Sequence, residues 1–307
     1  MHDAPSSTKP RAPRSARRSA ERTRTLRILT LNLGLNALRV GRRFALSAHI
    51  DERLAAAPAL IAALEPDIIA LQEVYHASDQ RFLMQEFRPT HKFAFASSAH
   101  PSLYGNGLMF LSRLPIRGGR FVPFRATATT ARWLWEQGFL LAEIGADGAS
   151  PLRFINVHLV ANEPLTRPHA AATRRRRARE IEALIALAHR ESAILVGDFN
   201  TSPKVAPKVY AHLIGAGYSD AFVATNGAVE APTWDATNSL NQASIYRDEP
   251  SQRIDHVFLP RARDGELVAK AADVVLNEPR VALGLGQYCT LSDHYGLLVT
   301  LAAGGTD

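Results

Sequence analysis

Four apolar runs in this chain each close on a polar residue that an apolar interior would reject. They are Leu29-Thr30-Leu31-Asn32, Ile69-Ala70-Leu71-Gln72-Glu73, Phe154-Ile155-Asn156-Val157-His158 and Val196-Gly197-Asp198-Phe199-Asn200. A fifth group, Ile254-Asp255 with Ser292-Asp293-His294, repeats the pattern late in the chain. Burying unpaired carboxylates costs several kcal/mol, so several of them at strand ends mark a site. In open α/β folds the strand ends are where sites collect.

The segments between these runs alternate in period. Ile50, Leu54, Ala57, Leu60, Ile61 and Leu64 recur at helical spacing, so the pattern predicts a helix over His49–Leu64, stopped by Pro66. Ser78–Phe87, Thr173–His189 and a short stretch near Pro203–Leu213 also read as helices. Strands are predicted over Leu26–Leu33, Ile68–Val74, Gly107–Ser112, Gly138–Ile144, Leu152–Leu159, Ala193–Gly197, Ile254–Leu259, Ala271–Leu276 and Tyr295–Leu301. No repeat or linker interrupts this body, which reads as one layered core over residues 26–303.

Charge divides the chain. Residues 1–25 carry seven Lys/Arg against Asp3 and Glu21, while the rest carries 29 basic and 27 acidic residues. The tail has too little apolar surface to offset ordering and reads as disordered. The near-neutral body does not demand a basic groove for nucleic acid. No run approaches the roughly 18–20 apolar residues needed to span a bilayer. Leu26–Leu35 is broken by Arg27, Thr30 and Asn32 and reads as a strand rather than an export leader. With Cys289 as the single cysteine, no internal disulfide can form; it reads as a small buried hydrophobe. A cytoplasmic protein, peripheral at a membrane surface, is the expectation.

Residue types narrow the chemistry. Glu and Asn supply hard oxygen ligands suited to magnesium, or to manganese. Zinc fits less well, without a cysteine cluster or a paired-histidine motif. Asp198 and Asn200 set a base and a neutral donor on one side of an extended segment. Asp255 and His294 suit a carboxylate that orients an imidazole. Together these groups suit in-line attack of water on a phosphate ester.

The segments Thr30-Leu31-Asn32, Leu71-Gln72-Glu73, Gly197-Asp198-Phe199-Asn200, Arg253-Ile254-Asp255-His256 and Ser292-Asp293-His294 match, in order and type, the motifs of the endonuclease/exonuclease/phosphatase superfamily. The chain resembles that superfamily over about residues 26–301, which implies a four-layered α/β sandwich of two packed mixed β-sheets flanked by helices (DNase I-like). Three segments resemble the neutral and bacterial sphingomyelinases within it: Asn156-Val157-His158-Leu159, Thr233-Trp234-Asp235-Ala236-Thr237-Asn238-Ser239 and Ser292-Asp293-His294-Tyr295. Gly105-Asn106-Gly107 and Ser112-Arg113-Leu114-Pro115-Ile116 fit the superfamily generally. Gln137-Gly138 departs from it, standing where relatives often have Lys-Gly.

Carried over residue by residue, the resemblance implies that Glu73 binds magnesium with Asn32 beside it. Asp293 ligates or organises a second cation. Asp198 orients or deprotonates the attacking water and Asn200 donates to a phosphate oxygen. His294, paired with Asp255, contacts the phosphate or acts as base, and His158 is placed to protonate the leaving oxygen. Asn106, Asp235 and Asn238 are candidates for substrate contact, although Asp235 and Asn238 suit a turn equally, and Asn156 suits a strand-end hydrogen-bonding role.

The implied activity is a magnesium-dependent phosphodiesterase that cleaves a phospholipid head group. The alternatives are a nuclease on the same fold, an inositol-phosphate phosphatase and a non-catalytic interaction module. The expected partner is a phospholipid or another phosphodiester, with nucleic acid second; the oligomeric state stays open. Two further features bear on membranes. Arg132-Trp133-Leu134-Trp135 suits an interfacial loop, or packing under a strand, and apolar Val281–Leu285 reads as a loop. The arginine run Arg174–Arg177 with Arg179 sits near a helix start, where the dipole disfavours cations; it reads as a solvated face beside Glu180 and Glu182.

Overall fold

The computed structural model describes residues 25–303 apart from 41, 46, 99–104, 125–135, 147–149, 162–166, 205, 245 and 262–266. The tail at 1–24 and the Trp133/Trp135 pair lie outside the described residues.

Two six-stranded sheets form the centre. The first runs, in spatial order, β13 (Leu267–Val275), β16 (Gly296–Ala303), β1 (Leu26–Asn32), β4 (Ile68–Gln72), β6 (Met109–Ser112) and β5 (Phe93–Phe95). The second runs β11 (Tyr218–Asp220), β12 (Asp255–Pro260), β10 (Ile194–Asp198), β9 (Leu152–His158), β8 (Gly138–Ile144) and β7 (Ile116–Pro123). Each sheet holds one parallel pair at its middle, β1 with β4 and β9 with β10. The described neighbours are otherwise antiparallel. Two hairpins stand apart: β2 (Ala37–Val40) with β3 (Arg42–Ala45), and β14 (Val281–Gly284) with β15 (Gln287–Cys289).

Strand alternation builds the layers. Ile28, Ala70, Phe110, Leu140, Phe154, Val196 and Val257 point between the sheets. Their neighbours Leu29, Leu31, Ile69, Leu71 and Leu111 face outward, onto α1 (Ile50–Ala62) and α2 (Ala77–Phe87). On the other side Leu141, Ile155, Val157, Leu195 and Phe258 are covered by α3 (Arg167–Glu191) and α4 (Pro207–Gly215). The short helices α5 (Ala221–Asn226) and α6 (Ser239–Gln242) complete the chain. The result is the expected four-layered α/β sandwich. Between the sheets one patch is polar: Gln72 Nε2 donates to Thr30 Oγ1 at 3.1 Å and to Asn156 Oδ1 at 2.8 Å. Asn156 Nδ2 in turn donates to the carbonyls of Leu71 and Met109 in the opposite sheet, at 2.9 and 3.2 Å.

Two expectations need correction. Val281–Leu285 is not a simple loop: Val281–Gly284 is the first arm of a hairpin, and Leu285 with Gly286, both at positive φ (51° and 75°), forms the two-residue turn between paired strands. Helix α3 begins six residues earlier than its apolar pattern shows, since the stretch before Thr173 has no apolar period to read.

Candidate active site

The polar residues that end the central strands converge. Parallel pairing sets Asp198 beside His158, and antiparallel pairing sets Asp255 on its other flank. The first sheet brings Asn32 and Glu73 to the same end. Two glycines make the approach possible. A Cβ on Gly197 (φ 135°) would lie 2.1 Å from the Val157 carbonyl oxygen, and one on Gly34 (φ 57°) would lie 2.1 Å from Asp293 Oδ1. Glu73 itself sits at φ 58° and Asn200 at φ 48°. Asn tolerates that region; for Glu it is a strained conformation of the kind that accumulates at functional sites.

Asn32 joins the two halves. Its Nδ2 donates to Glu73 Oε1 at 3.0 Å and to Asp198 Oδ2 at 3.1 Å, while its Oδ1 accepts from the Gly34 N–H at 3.0 Å. Asn32 therefore turns a donor, not an oxygen, toward the carboxylates. Asn36, which the motif reading did not single out, donates to the other Glu73 oxygen. His158 Nε2 stands 3.6 Å from both Glu73 Oε1 and Asp198 Oδ2, beyond hydrogen-bond length. His294 Nδ1 pairs with Asp255 Oδ2 at 2.9 Å and directs Nε2 toward Asp198 Oδ2, 3.9 Å away. Asn200 holds Asp198: its N–H donates to Asp198 Oδ1 at 2.8 Å, and its Nδ2 donates to the Leu159 carbonyl at 2.8 Å.

The electrostatics follow from burial. Burial, with Asp293 adding repulsion, pushes the Glu73 carboxyl up against the opposing pull of His158. Burial and the neighbouring Asp255 push Asp198 up. Burial would lower His294, but the charge and hydrogen bond of Asp255, with Asp198 and Asp293, outweigh it and hold the ring well above its ordinary pKa.

Glu73, His158, Asp198, Asn200, Asp293 and His294 line one cleft of about 130 Å³, together with Asn36, Trp234, Tyr246, Glu249 and Gln252. Asn36 carried a readable signal, four residues past Asn32 across Gly34; the Tyr246–Glu249 turn has no periodicity that could have marked it. A cavity of about 520 Å³ lies at the far end of the second sheet, around Leu152, Ile194 and Leu259. Among the described residues no carboxylate lines it, whereas the smaller cleft gathers acids and imidazoles.

The three candidates for substrate contact do not line that cleft. Asn106 accepts from the Leu108 N–H and donates to the Ser97 carbonyl. Asp235 Oδ1 accepts from Thr237 N–H and the Ser251 hydroxyl. Asn238 caps α6 and donates to the Ser292 carbonyl at 2.9 Å. Their segment is a brace. Thr233 Oγ1 accepts from the N–H groups of Ile254 and Asp255, and Asn241 Nδ2 donates to the Asp293 carbonyl. The segment thus ties down both strand ends that carry the late motifs.

The donor set fits a hard cation. Four acids line the cleft, Glu73, Asp198, Asp293 and Glu249; magnesium commonly takes one or two carboxylates and keeps several waters. Asp198, Asp255 and His294 also offer ligand atoms within 4.8 Å of one another, and Asp255 Oδ1 is buried without a hydrogen-bond partner.

Two mixed sheets with acids, amides and two imidazoles at one end define the DNase I-like class of α/β sandwich. The chain matches the endonuclease/exonuclease/phosphatase family over residues 29–294, and it belongs to that family. A search of curated protein sequences finds no match. Among solved structures the chain is similar to sphingomyelinase C from Streptomyces griseocarneus, with TM-score 0.70, 18% identity and coverage of 91% of this chain and 99% of that one. It is also similar to a beta toxin variant from Staphylococcus aureus with bound magnesium ions, with TM-score 0.68, 17% identity and coverage of 92% and 100%. A third likeness is to D. rerio TDP2 complexed with single-strand DNA product, with TM-score 0.65, 19% identity and coverage of 90% and 98%. At these identities the likeness shows the fold.

Proposed function

We propose that the protein is a magnesium-dependent phosphodiesterase that releases the phosphorylated head group of a phospholipid, such as sphingomyelin, at a membrane surface. The cleft supports the hydrolytic half of this reading. Magnesium held by Glu73, with Asp293 near it, would neutralise charge developing on the phosphate. Asp198, anchored by Asn200 and Asn32, orients the attacking water in line with the leaving oxygen. His294, kept protonated by Asp255, is placed to donate to a phosphate oxygen. His158, on the opposite flank of Asp198, is placed to give a proton to the leaving oxygen.

One observation carries the lipid half. The β14–β15 hairpin runs directly into Thr290–His294; its turn presents Leu285 at 104% exposure, and Tyr288 in β15 is 57% exposed. An exposed apolar tip on the hairpin that leads into the last motif suits insertion at the headgroup level. Among the described residues no helix is long and apolar enough to cross a bilayer. Burying a leucine contributes roughly 1.5–3 kcal/mol, so Leu285→Asp should lower hydrolysis of sphingomyelin vesicles by about 10- to 100-fold. Turnover of soluble bis(p-nitrophenyl) phosphate should stay unchanged. Vesicle hydrolysis unaffected by Leu285→Asp, or efficient cleavage of single-stranded DNA without release of phosphocholine, would remove the lipid assignment.

A further inference from the structure

The arginine run of α3 divides. Arg174, Arg175 and Arg179 are exposed, as expected of a solvated face, but Arg177 is buried to 1% exposure. Glu180, on the same face of the helix, is buried to 4%. Arg177 Nε donates to the Val160 carbonyl at 2.9 Å, and Glu180 Oε2 accepts from the Val160 N–H at 2.9 Å. Arg176 Nε holds the other Glu180 oxygen at 2.9 Å.

Val160 lies two residues beyond His158, where the chain leaves β9. The residue between them is held from the opposite side. The Leu159 N–H donates to the Asp198 carbonyl at 2.9 Å, and its carbonyl accepts from Asn200 Nδ2 at 2.8 Å. All four backbone polar groups of Leu159 and Val160 are therefore engaged, two by the Asp198 segment and two by α3.

Core stability alone does not ask for this arrangement. Burial lowers the Arg177 pKa and raises that of Glu180, the signature of charges removed from water. Neutral hydrogen-bonding side chains would satisfy the same two groups with less desolvation. Two opposite charges on one helix face add direction, because they fix both polar groups of one peptide segment. His158 needs that: among the described residues no hydrogen bond reaches either of its ring nitrogens, and its nearest carboxylate oxygens are 3.6 Å away. The ring takes its place from the backbone beneath it. We propose that Arg177 and Glu180 are positioning residues that clamp Val160 and thereby fix where His158 stands relative to Glu73 and Asp198.

The test uses the full chain and two readouts. Kinetics with magnesium on bis(p-nitrophenyl) phosphate rest on the phosphodiesterase reading. The NMR ring signal of His158, assigned by its loss in His158→Ala, is read without metal and does not. Arg177→Met should lower kcat by about 10- to 100-fold, as loss of an outer supporting group commonly does, with KM little changed. In the His158→Ala background the same substitution should cost little further, since the clamp acts through that ring. Arg177→Lys should recover part of the loss, and the His158 signal should shift or broaden in Arg177→Met. An equal loss in both backgrounds, or an unmoved His158 signal, overturns the proposal. If Arg177→Met does not fold, Glu180→Gln replaces it with the same two outcomes. Wild-type protein that leaves the probe intact defeats the phosphodiesterase reading, and the ring signal still decides the clamp.

Discussion

Replacing Asp220 with Asn should be among the most destabilising single changes available below the cleft. Asp220 Oδ2 accepts from Tyr210 Oη at 2.8 Å and from Arg253 Nη1 at 2.8 Å, and lies 3.0 Å from His256 Nδ1. Its other oxygen caps α5 through the N–H of Phe222 at 3.0 Å. Asp220, Arg253 and His256 are 2%, 8% and 0% exposed, so water cannot take over a lost partner. Asn can still cap the helix, but its amide leaves Arg253 buried without a counter-charge. Breaking a buried pair in this way costs ~3–5 kcal/mol. At roughly 2–4 °C per kcal/mol for a domain near this size, Tm should fall by about 6–20 °C. Burial alone would raise the Asp220 carboxyl, but His256 and Arg253 hold it well below the carboxylate range. The stability it contributes is therefore present above the unfolded value of about 4 and is lost as pH falls toward the depressed one. Asp220→Asn should flatten the corresponding acid limb. Urea and thermal unfolding of the metal-free protein, from about pH 3 to 8, measure both effects. The exposed pair Arg280–Glu278, worth ~0–1 kcal/mol, is the control. A loss no larger than that control would refute the reasoning.

Glu73→Gln should raise Tm without metal, because a carboxylate whose pKa is pushed up by burial costs stability above its unfolded value. With magnesium held by Glu73 as proposed, saturating metal should stabilise the wild type by about 2.7 kcal/mol at a hundredfold excess over Kd, and Glu73→Gln should lose that gain; a thermal shift with magnesium equal to wild type would contradict this. His294 should remain protonated well above pH 6.5, and Asp255→Asn should lower its titration, read by NMR of the metal-free ring. The stability from that pair is complete below about pH 6.5 and fades as pH rises through the elevated value. A ring that titrates no lower in Asp255→Asn would count against the pairing.

Much of the fold was legible because strand and helix periods differ and the core strands are nearly pure apolar runs. Gly138–Ile144 matches its strand residue for residue, and the helix predicted over His49–Leu64 appears as Ile50–Ala62. Short or partly exposed elements escaped. β7 alternates around Gly118 and Gly119 with little apolar content, and β11 has only three residues. Site residues at strand ends could be read because a carboxylate there contradicts its surroundings. What each does with its hydrogen bonds could not. Asn32 and Asn106 share one residue type; only the partners separate an amide that bridges two acids from one that closes a turn. Helical phase separates Arg177 from Arg175, because Arg177 stands four residues before Ile181 on the stripe that continues through Leu184 and Ala188, but a charge on that stripe gives no hint of the backbone it holds.

The Thr30–Gln72–Asn156 contact has a mechanical consequence. Half of the cleft hangs from one sheet and half from the other, so its dimensions depend on how the sheets are aligned. Hydrocarbon surfaces attract without direction and would accept several offsets at similar energy. Hydrogen bonds from Asn156 to the Leu71 and Met109 carbonyls accept only one. They act as a dowel pin through the joint, set two residues below both Glu73 and His158, so that slip between the halves is stopped where it would most distort the distance between Glu73 and Asp198.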